Sequence, residues 1–279
     1  MSLTAIRPRS EAATGGKAAH IALRGVSHLY PPRAGHQAVE ALSAIDFDFH
    51  PGEFVSIVGP SGCGKTTLLE IVAGLARPTS GEVAVDGRPI TGTVAEGIGV
   101  VFQEDASFPW LNVTDNVAFG LRRAGMDGAE VSRRVSDALA FMGLSGFAGA
   151  YPAQLSGGMR QRVCIARTLV LRPQIILLDE PFGALDQQTR LLMGEELLRL
   201  WRATGATIML ITHALDEAAL LSDRVAVMSA RPGRLIDVIA TGWPRERDSS
   251  LLAKPDFGVF TAQLWALLRE ESRKALGTT

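Results

Sequence analysis

The chain has 279 residues, 47% of them hydrophobic, and a formal net charge of −1. This is ample apolar material for a large buried core, and the length suits one large domain or a core with a subdomain. No apolar run reaches the roughly eighteen residues that a membrane-spanning helix needs, and no basic excess marks nucleic acid as the main partner.

Residues 1–20 are rich in Ala, Ser, Thr, Gly and Arg and read as a disordered tail, or else as an organelle transit peptide. Over 43–49, Ile45, Phe47 and Phe49 alternate with Asp46 and Asp48, the pattern of a half-buried antiparallel strand. VAVDGRPI (83–90) carries Asp86-Gly87 between strand-like pieces, a hairpin turn signal. FVSIV (54–58), IGVVF (98–102), IILL (175–178), TIMLI (207–211) and VAVM (225–228) are short, apolar and rich in branched residues. Such strands, separated by helical stretches, predict a parallel sheet covered on both faces. Helices are expected over 66–74 and over 189–203, the latter with Leu192, Leu197, Leu200 and Trp201 near one side. Residues 104–160 read as a mostly helical insertion, with helices over 113–121 and 129–142. Residues 243–255 read as a linker, and 256–272 as a closing helix with Phe260, Leu264, Leu267 and Leu268 at helical spacing. The two cysteines, Cys63 and Cys164, fall in a glycine loop and a predicted helix, so no disulfide framework is expected and a reducing compartment fits.

Residues 59–67 read GPSGCGKTT between an apolar strand and a helix, the context a phosphate-binding loop requires. Glycines let backbone N–H groups turn inward around phosphate oxygens, and the helix N-terminus adds partial positive charge. Gly59, Pro60, Ser61, Gly62, Cys63, Gly64, Lys65, Thr66 and Thr67 are therefore candidate binding residues for a nucleoside triphosphate, which the family resemblance given below makes ATP. Lys65 would reach the β- and γ-phosphates, and the Thr66 hydroxyl would bind Mg²⁺; Cys63 occupies a variable position with no chemistry of its own. IILLDE (175–180) delivers carboxylates at the end of a buried strand, where open α/β sheets bind ligands. Asp179 would hold Mg²⁺ and Glu180 would act as general base toward water.

LSGGMRQR (155–162) resembles the signature motif of ATP-binding cassette (ABC) proteins, and the resemblance covers roughly residues 21–240. It implies a P-loop NTPase core of RecA-like α/β fold, with a mostly parallel sheet, an N-terminal antiparallel β subdomain and an inserted helical subdomain. The cassette would then span 21–243, with the helical subdomain over about 104–160 and a C-terminal linker and helix over 244–279. The resemblance places Ser156, Gly157 and Gly158 against the γ-phosphate of ATP held by a second copy. A Ser-Gly-Gly step opening a helix is by itself an anion site, with Ser156 also an N-cap. Gln103, after IGVVF, resembles the glutamine-loop residue that touches Mg²⁺ or the attacking water. His213, in ITHALDEA, resembles the switch histidine at the γ-phosphate; many relatives have Asp where this chain has Ala214. Ala184, Leu185 and Asp186 resemble the loop at the dimer seam. Tyr30, in VSHLYPP, either stacks on adenine as in the family or packs in the core.

FPWLNVTDNVAFGL (108–121), SARPGRLIDVI (229–239) and the closing helix with Leu264-Trp265 are similar to the nitrate/sulfonate/taurine importer subfamily. This implies an ATP-hydrolysing motor subunit on the cytoplasmic face of the inner (plasma) membrane. It would act as a homodimer bound to transmembrane permease subunits, with an extracytoplasmic solute-binding protein as an indirect partner and no nucleic acid. Phe108, Trp110 and Leu111 either form the groove for a permease helix or belong to the subdomain core. The alternatives are an ATPase of another importer (polyamine, phosphonate or metal) or a soluble, non-transport ABC ATPase.

Overall fold

The computed structural model describes residues 18–32, 37–93, 95–103 and 106–277. The tail reading for residues 1–17 lies outside them. Residues 18–20, included in that tail, are packed instead: Ala19 is buried and its carbonyl accepts from Thr207 Oγ1 at 2.6 Å.

In chain order the strands and helices begin with β1 (Ile21–Tyr30), β2 (Val39–Phe49), β3 (Phe54–Val58), α1 (Lys65–Val72), β4 (Ser80–Val85), β5 (Arg88–Pro89) and β6 (Ile98–Val101). Then follow α2 (Val113–Arg123), α3 (Gly128–Phe141), α4 (Gly157–Leu169), β7 (Ile175–Asp179), α5 (Gln187–Thr204), β8 (Thr207–Ile211) and α6 (Leu215–Leu221). The chain closes with β9 (Arg224–Met228), β10 (Leu235–Ala240) and α7 (Pro255–Ala275). A four-stranded antiparallel sheet runs β2-β1-β4-β5, and a six-stranded sheet runs β10-β9-β3-β8-β7-β6. In the second sheet β9, β3, β8, β7 and β6 are parallel, and β10 is an antiparallel edge.

Physical causes are local. β3, β7 and β8 are buried at every residue, which is why they read as unbroken apolar runs. Asp86 and Gly87 both have positive φ, the conformation a tight two-residue hairpin demands. Asn112 caps α2 by accepting from Asp115 N at 2.8 Å, and Asp127 caps α3 by accepting from Ala129 N at 2.9 Å, each satisfying an orphan helix donor. One apolar cluster joins β1, β2 and α1 to one face of the parallel sheet; a second joins α2–α7 to the other.

Four expectations need correction. β1 and β10 were not foreseen: β1 mixes Arg24, Gly25, Ser27 and His28 with its apolar residues and shifts register at several points, so alternation is lost. Leu192 is 61% exposed; the buried stripe of α5 is Gly194, Leu197, Leu198 and Trp201, spaced as one helix face. Residues 243–255 are no loose linker, because Arg247 is buried and its Nη1 pairs with Asp223 Oδ1 at 2.7 Å. The strand expected over 98–102 ends at Val101, with Phe102 exposed.

Candidate active site

Sheet order builds the site. β3, β8, β7 and β6 are parallel neighbours, so their C-terminal ends share one edge. Gly59, His213, Glu180 and Gln103 follow those ends, and distant parts of the chain meet there. Gly64 opens α1 with φ 100°, and a Cβ there would lie 2.7 Å from the Ala41 carbonyl oxygen. Only glycine meets both demands.

A cavity of about 850 Å³ lies at this edge. From the glycine loop, Ser61, Gly62, Gly64, Lys65, Thr66 and Thr67 line it. Gln103, Glu180 and His213 line it as well, as do Tyr30, Gln37, Val39 and Ala41. Gly59, Pro60 and Cys63 do not line it. The Cys63 side chain is buried, and burial pushes its thiol up, so it packs inward, away from the cavity.

Lys65 Nζ donates to the carbonyls of Gly59 at 2.8 Å and Pro60 at 2.9 Å. Thr66 donates to the Asp179 carboxylate, whose burial pushes it above the ordinary range while the Thr66 hydrogen bond pulls it back. Glu180 Oε2 accepts from Gln103 Nε2 at 3.2 Å and lies 3.1 Å from His213 Nδ1. A carboxylate oxygen only accepts, so Nδ1 carries the proton. Two residues from the ends of β6 and β8, Gln103 and His213, thus converge on one oxygen of Glu180 at the end of β7. Tyr30 is neither free nor core: its hydroxyl bonds Thr67 Oγ1 at 2.9 Å, and its ring packs edge-on to His28 at 4.6 Å.

Ser156, Gly157, Gly158 and Asp186 lie outside this cavity. Ser156 caps α4, its Oγ accepting from Met159 N at 3.3 Å. A Cβ on Gly158 would come within 2.5 Å of Leu185, so this glycine lets the 184–186 loop approach. Asp186 caps α5, accepting from Thr189 N at 3.0 Å and from Thr189 Oγ1 at 2.7 Å.

A sequence model of the family described as ABC transporter matches residues 42–183. The chain belongs to this family. The cassette is 45% identical over 238 residues to an uncharacterized ABC transporter ATP-binding protein of Methanocaldococcus jannaschii, covering 85% of this chain and 88% of that one. It is 41% identical to the nitrate import ATP-binding protein NrtD of Synechocystis sp., covering 90% and 95%. It is 49% identical to the taurine import ATP-binding protein TauB of Pelagibacter ubique, covering 71% and 75%. Among solved structures, a dimeric ATP-binding cassette in a post-hydrolysis state with ADP and Pi matches with TM-score 0.73 and 33% identity, over 80% of this chain and 100% of that one.

Sequence reasoning missed Arg231, which lines the cassette's cavity, its Nε donating to the Gly62 carbonyl at 3.0 Å. It stands in the SARPGRL string, which was read only for subfamily resemblance. Asn116 was missed as well. It is fully buried and its amide holds the 108–112 turn through Phe108 O, Leu111 O and Asn112 O at 3.1, 2.9 and 3.0 Å. Above that turn Phe108 stacks on Trp110 at 5.5 Å, and Trp110 is 71% exposed, which removes Trp110 from the core reading. No helix among the described residues is long and apolar enough to cross a membrane.

Proposed function

We propose that this cassette is the ATP-hydrolysing motor subunit of an importer for a small anion, of the kind that carries nitrate, sulfonates or taurine. The observation that carries the reading is the convergence of Gln103 and His213 on Glu180 beside the glycine loop. The relatives named for nitrate and taurine import support the cargo class.

ATP enters the cavity with its base on the Tyr30 side and its phosphates in the loop from Ser61 to Thr67. Lys65 turns its ammonium from the Gly59 and Pro60 carbonyls toward phosphate oxygen, where a charge-assisted bond is stronger. Asp179 and Thr66 are adjacent oxygen donors, one a buried carboxylate, which suits a hard cation; with Gln103 they would hold Mg²⁺. The ion would supply charge neutralisation at the transferring phosphoryl group. Glu180 polarises water, and His213 and Gln103 fix its carboxylate and sense the γ-phosphate.

Ser156 and Gly157 are exposed away from their own cavity, so a second copy of the cassette presents them, with Gly158 and the Asp186 loop, to the ATP held here. Two ATP molecules then close a homodimer, and hydrolysis opens it: ATP has different affinity for the two states. Phe108 and Trp110 offer the docking face for a permease helix at the cytoplasmic side of the membrane. The solute-binding protein acts through that permease.

The test is the Glu180→Gln chain, tagged and recovered from native membranes with ATP. Turnover should fall by about 10²–10⁴-fold, the usual worth of a general base, while ATP stays bound and a closed dimer accumulates. A multi-span permease should be recovered with it. Undiminished turnover would remove Glu180 from its role; recovery of ribosomes or DNA-associated proteins in place of a permease would defeat the importer reading.

A further inference from the structure

Taking the cavity as the ATP site proposed above, we infer that Arg231 is a further nucleotide-phosphate ligand, held in position by Glu271 of the C-terminal helix. Arg231 follows β9 in the 229–234 turn and lines the cavity beside Gly62. Its Nε is spent on the Gly62 carbonyl. Its Nη2 sits on the same glycine, 3.0 Å from where a Cβ would be. No carboxylate among the described residues pairs with it, and it is exposed. An unpaired guanidinium fork against a phosphate loop is suited to a bidentate anion.

The turn that carries Arg231 is clamped on three sides. Gly233 N donates to Ala41 O at 2.9 Å, and Ser43 N donates to Gly233 O at 3.0 Å. A Cβ at Gly233 would collide with the Cys63 carbonyl, so the turn lies directly against the glycine loop. Ser229 Oγ accepts from Arg234 N at 2.9 Å and donates within the turn. The third clamp comes from α7. Glu271 Oε2 accepts from Ala230 N, the residue before Arg231, at 2.8 Å. Glu271 is itself buried, and α7 is fixed to the core by Phe257, Phe260, Leu264 and Leu268. A rigid path therefore runs from the closing helix through Ala230 and Arg231 to Gly62. It gives the last helix of the chain a grip on nucleotide affinity.

The experiment measures equilibrium binding of ATP and of adenosine to the full chain. Arg231→Ala should weaken ATP about tenfold, within the range of a hydrogen-bonded charge pair, leave adenosine unchanged, and lose most of its effect at high salt. Arg231→Lys, which keeps the charge without the fork, should fall between. Glu271→Leu should weaken ATP in the parent chain and add nothing in the Arg231→Ala background, the non-additivity expected of one shared pathway. Glu271→Gln, whose amide oxygen still accepts from Ala230, should bind ATP like the parent. Unchanged ATP binding by Arg231→Ala, or equal loss of ATP and adenosine, overturns Arg231 as a phosphate ligand. Equal Glu271→Leu effects in both backgrounds overturn the positioning role. Lys65→Ala is the control: if it binds ATP like the parent, the cavity is not the ATP site and both readings fall.

Discussion

Glu180 has φ 46°, a left-handed conformation that non-glycine residues seldom adopt and that costs about 1–3 kcal/mol. Neighbouring backbone enforces it: Glu180 N donates to Ile211 O at 2.9 Å, and Glu180 O accepts from Gly183 N at 3.1 Å. The strain turns the chain sharply off β7 and aims the carboxylate at Gln103 and His213. Glu217 behaves differently. It stands in the first turn of α6, and burial raises its carboxyl from 4.5 to about 7. Thr212 Oγ1 donates to its Oε2 at 2.8 Å, while its Oε1 is buried without a partner. Arg190 faces it and lowers the value, and Glu180 raises it. Below about pH 4.5 both folded and unfolded chains hold this proton, and the group costs nothing. Between there and about pH 7 only the folded chain holds it, so stability falls as pH rises, by about 3 kcal/mol in all. Glu217→Gln removes that titration. Urea unfolding should find the variant gaining on the parent across this window and level above it; a gap that does not change with pH would defeat the assignment.

At the scale of elements, the strap between β10 and α7 shows what residue patterns hide. TGWPRERDSS carries charge and proline, the composition of a solvated connector, but three-dimensional pairing reverses that reading. Arg247 is buried with its guanidinium over the Trp201 ring at 4.8 Å, and Arg245 covers the same ring at 4.2 Å. Arg247→Ala would leave Asp223 without its cation and Trp201 with Arg245 alone over its ring. Removing one partner of a buried pair typically costs 3–5 kcal/mol, and the half-solvated Asp223 places the expected loss near about 3 kcal/mol. Chemical denaturation reads this directly, and a loss below about 1 kcal/mol would mean the pair behaves as a surface bridge. Elements whose burial is complete were legible: β3, β7 and β8 announce themselves because every position must be apolar. β1 was not, because both its neighbours are strands and its bulges break the alternation. α5 was placed correctly in sequence but rotated, since Leu192 suits a helix on either side of the stripe.

For the molecule as a whole, the active-site edge was legible because its chemistry is written in contiguous strings. GPSGCGKTT and IILLDE each keep several candidate functional groups on one loop or strand end. Arg231 and Glu271 were not legible, since their meaning arises only when β9 and α7 are brought beside the glycine loop. The same holds for the split between cores: the parallel sheet separates an apolar layer containing Tyr30's strand and α1 from one containing α2–α7. The exposed Trp110 adds an optical consequence. Of the four tryptophans, Trp201 is buried and Trp243 is half-buried against Phe257 and Phe260 at 6.4 and 6.0 Å, so both are shielded from a water-borne quencher, Trp201 more than Trp243. Trp110 and Trp265 emit into water, at 71% and 56% exposure. In a Trp265→Phe chain, iodide should therefore quench mainly Trp110. Adding detergent-solubilised permease should shield it and shift the emission to the blue, whereas unchanged quenching would move the docking face elsewhere. The chain thus carries its own dye at the proposed docking face, and a docking step there can be watched in real time without a label.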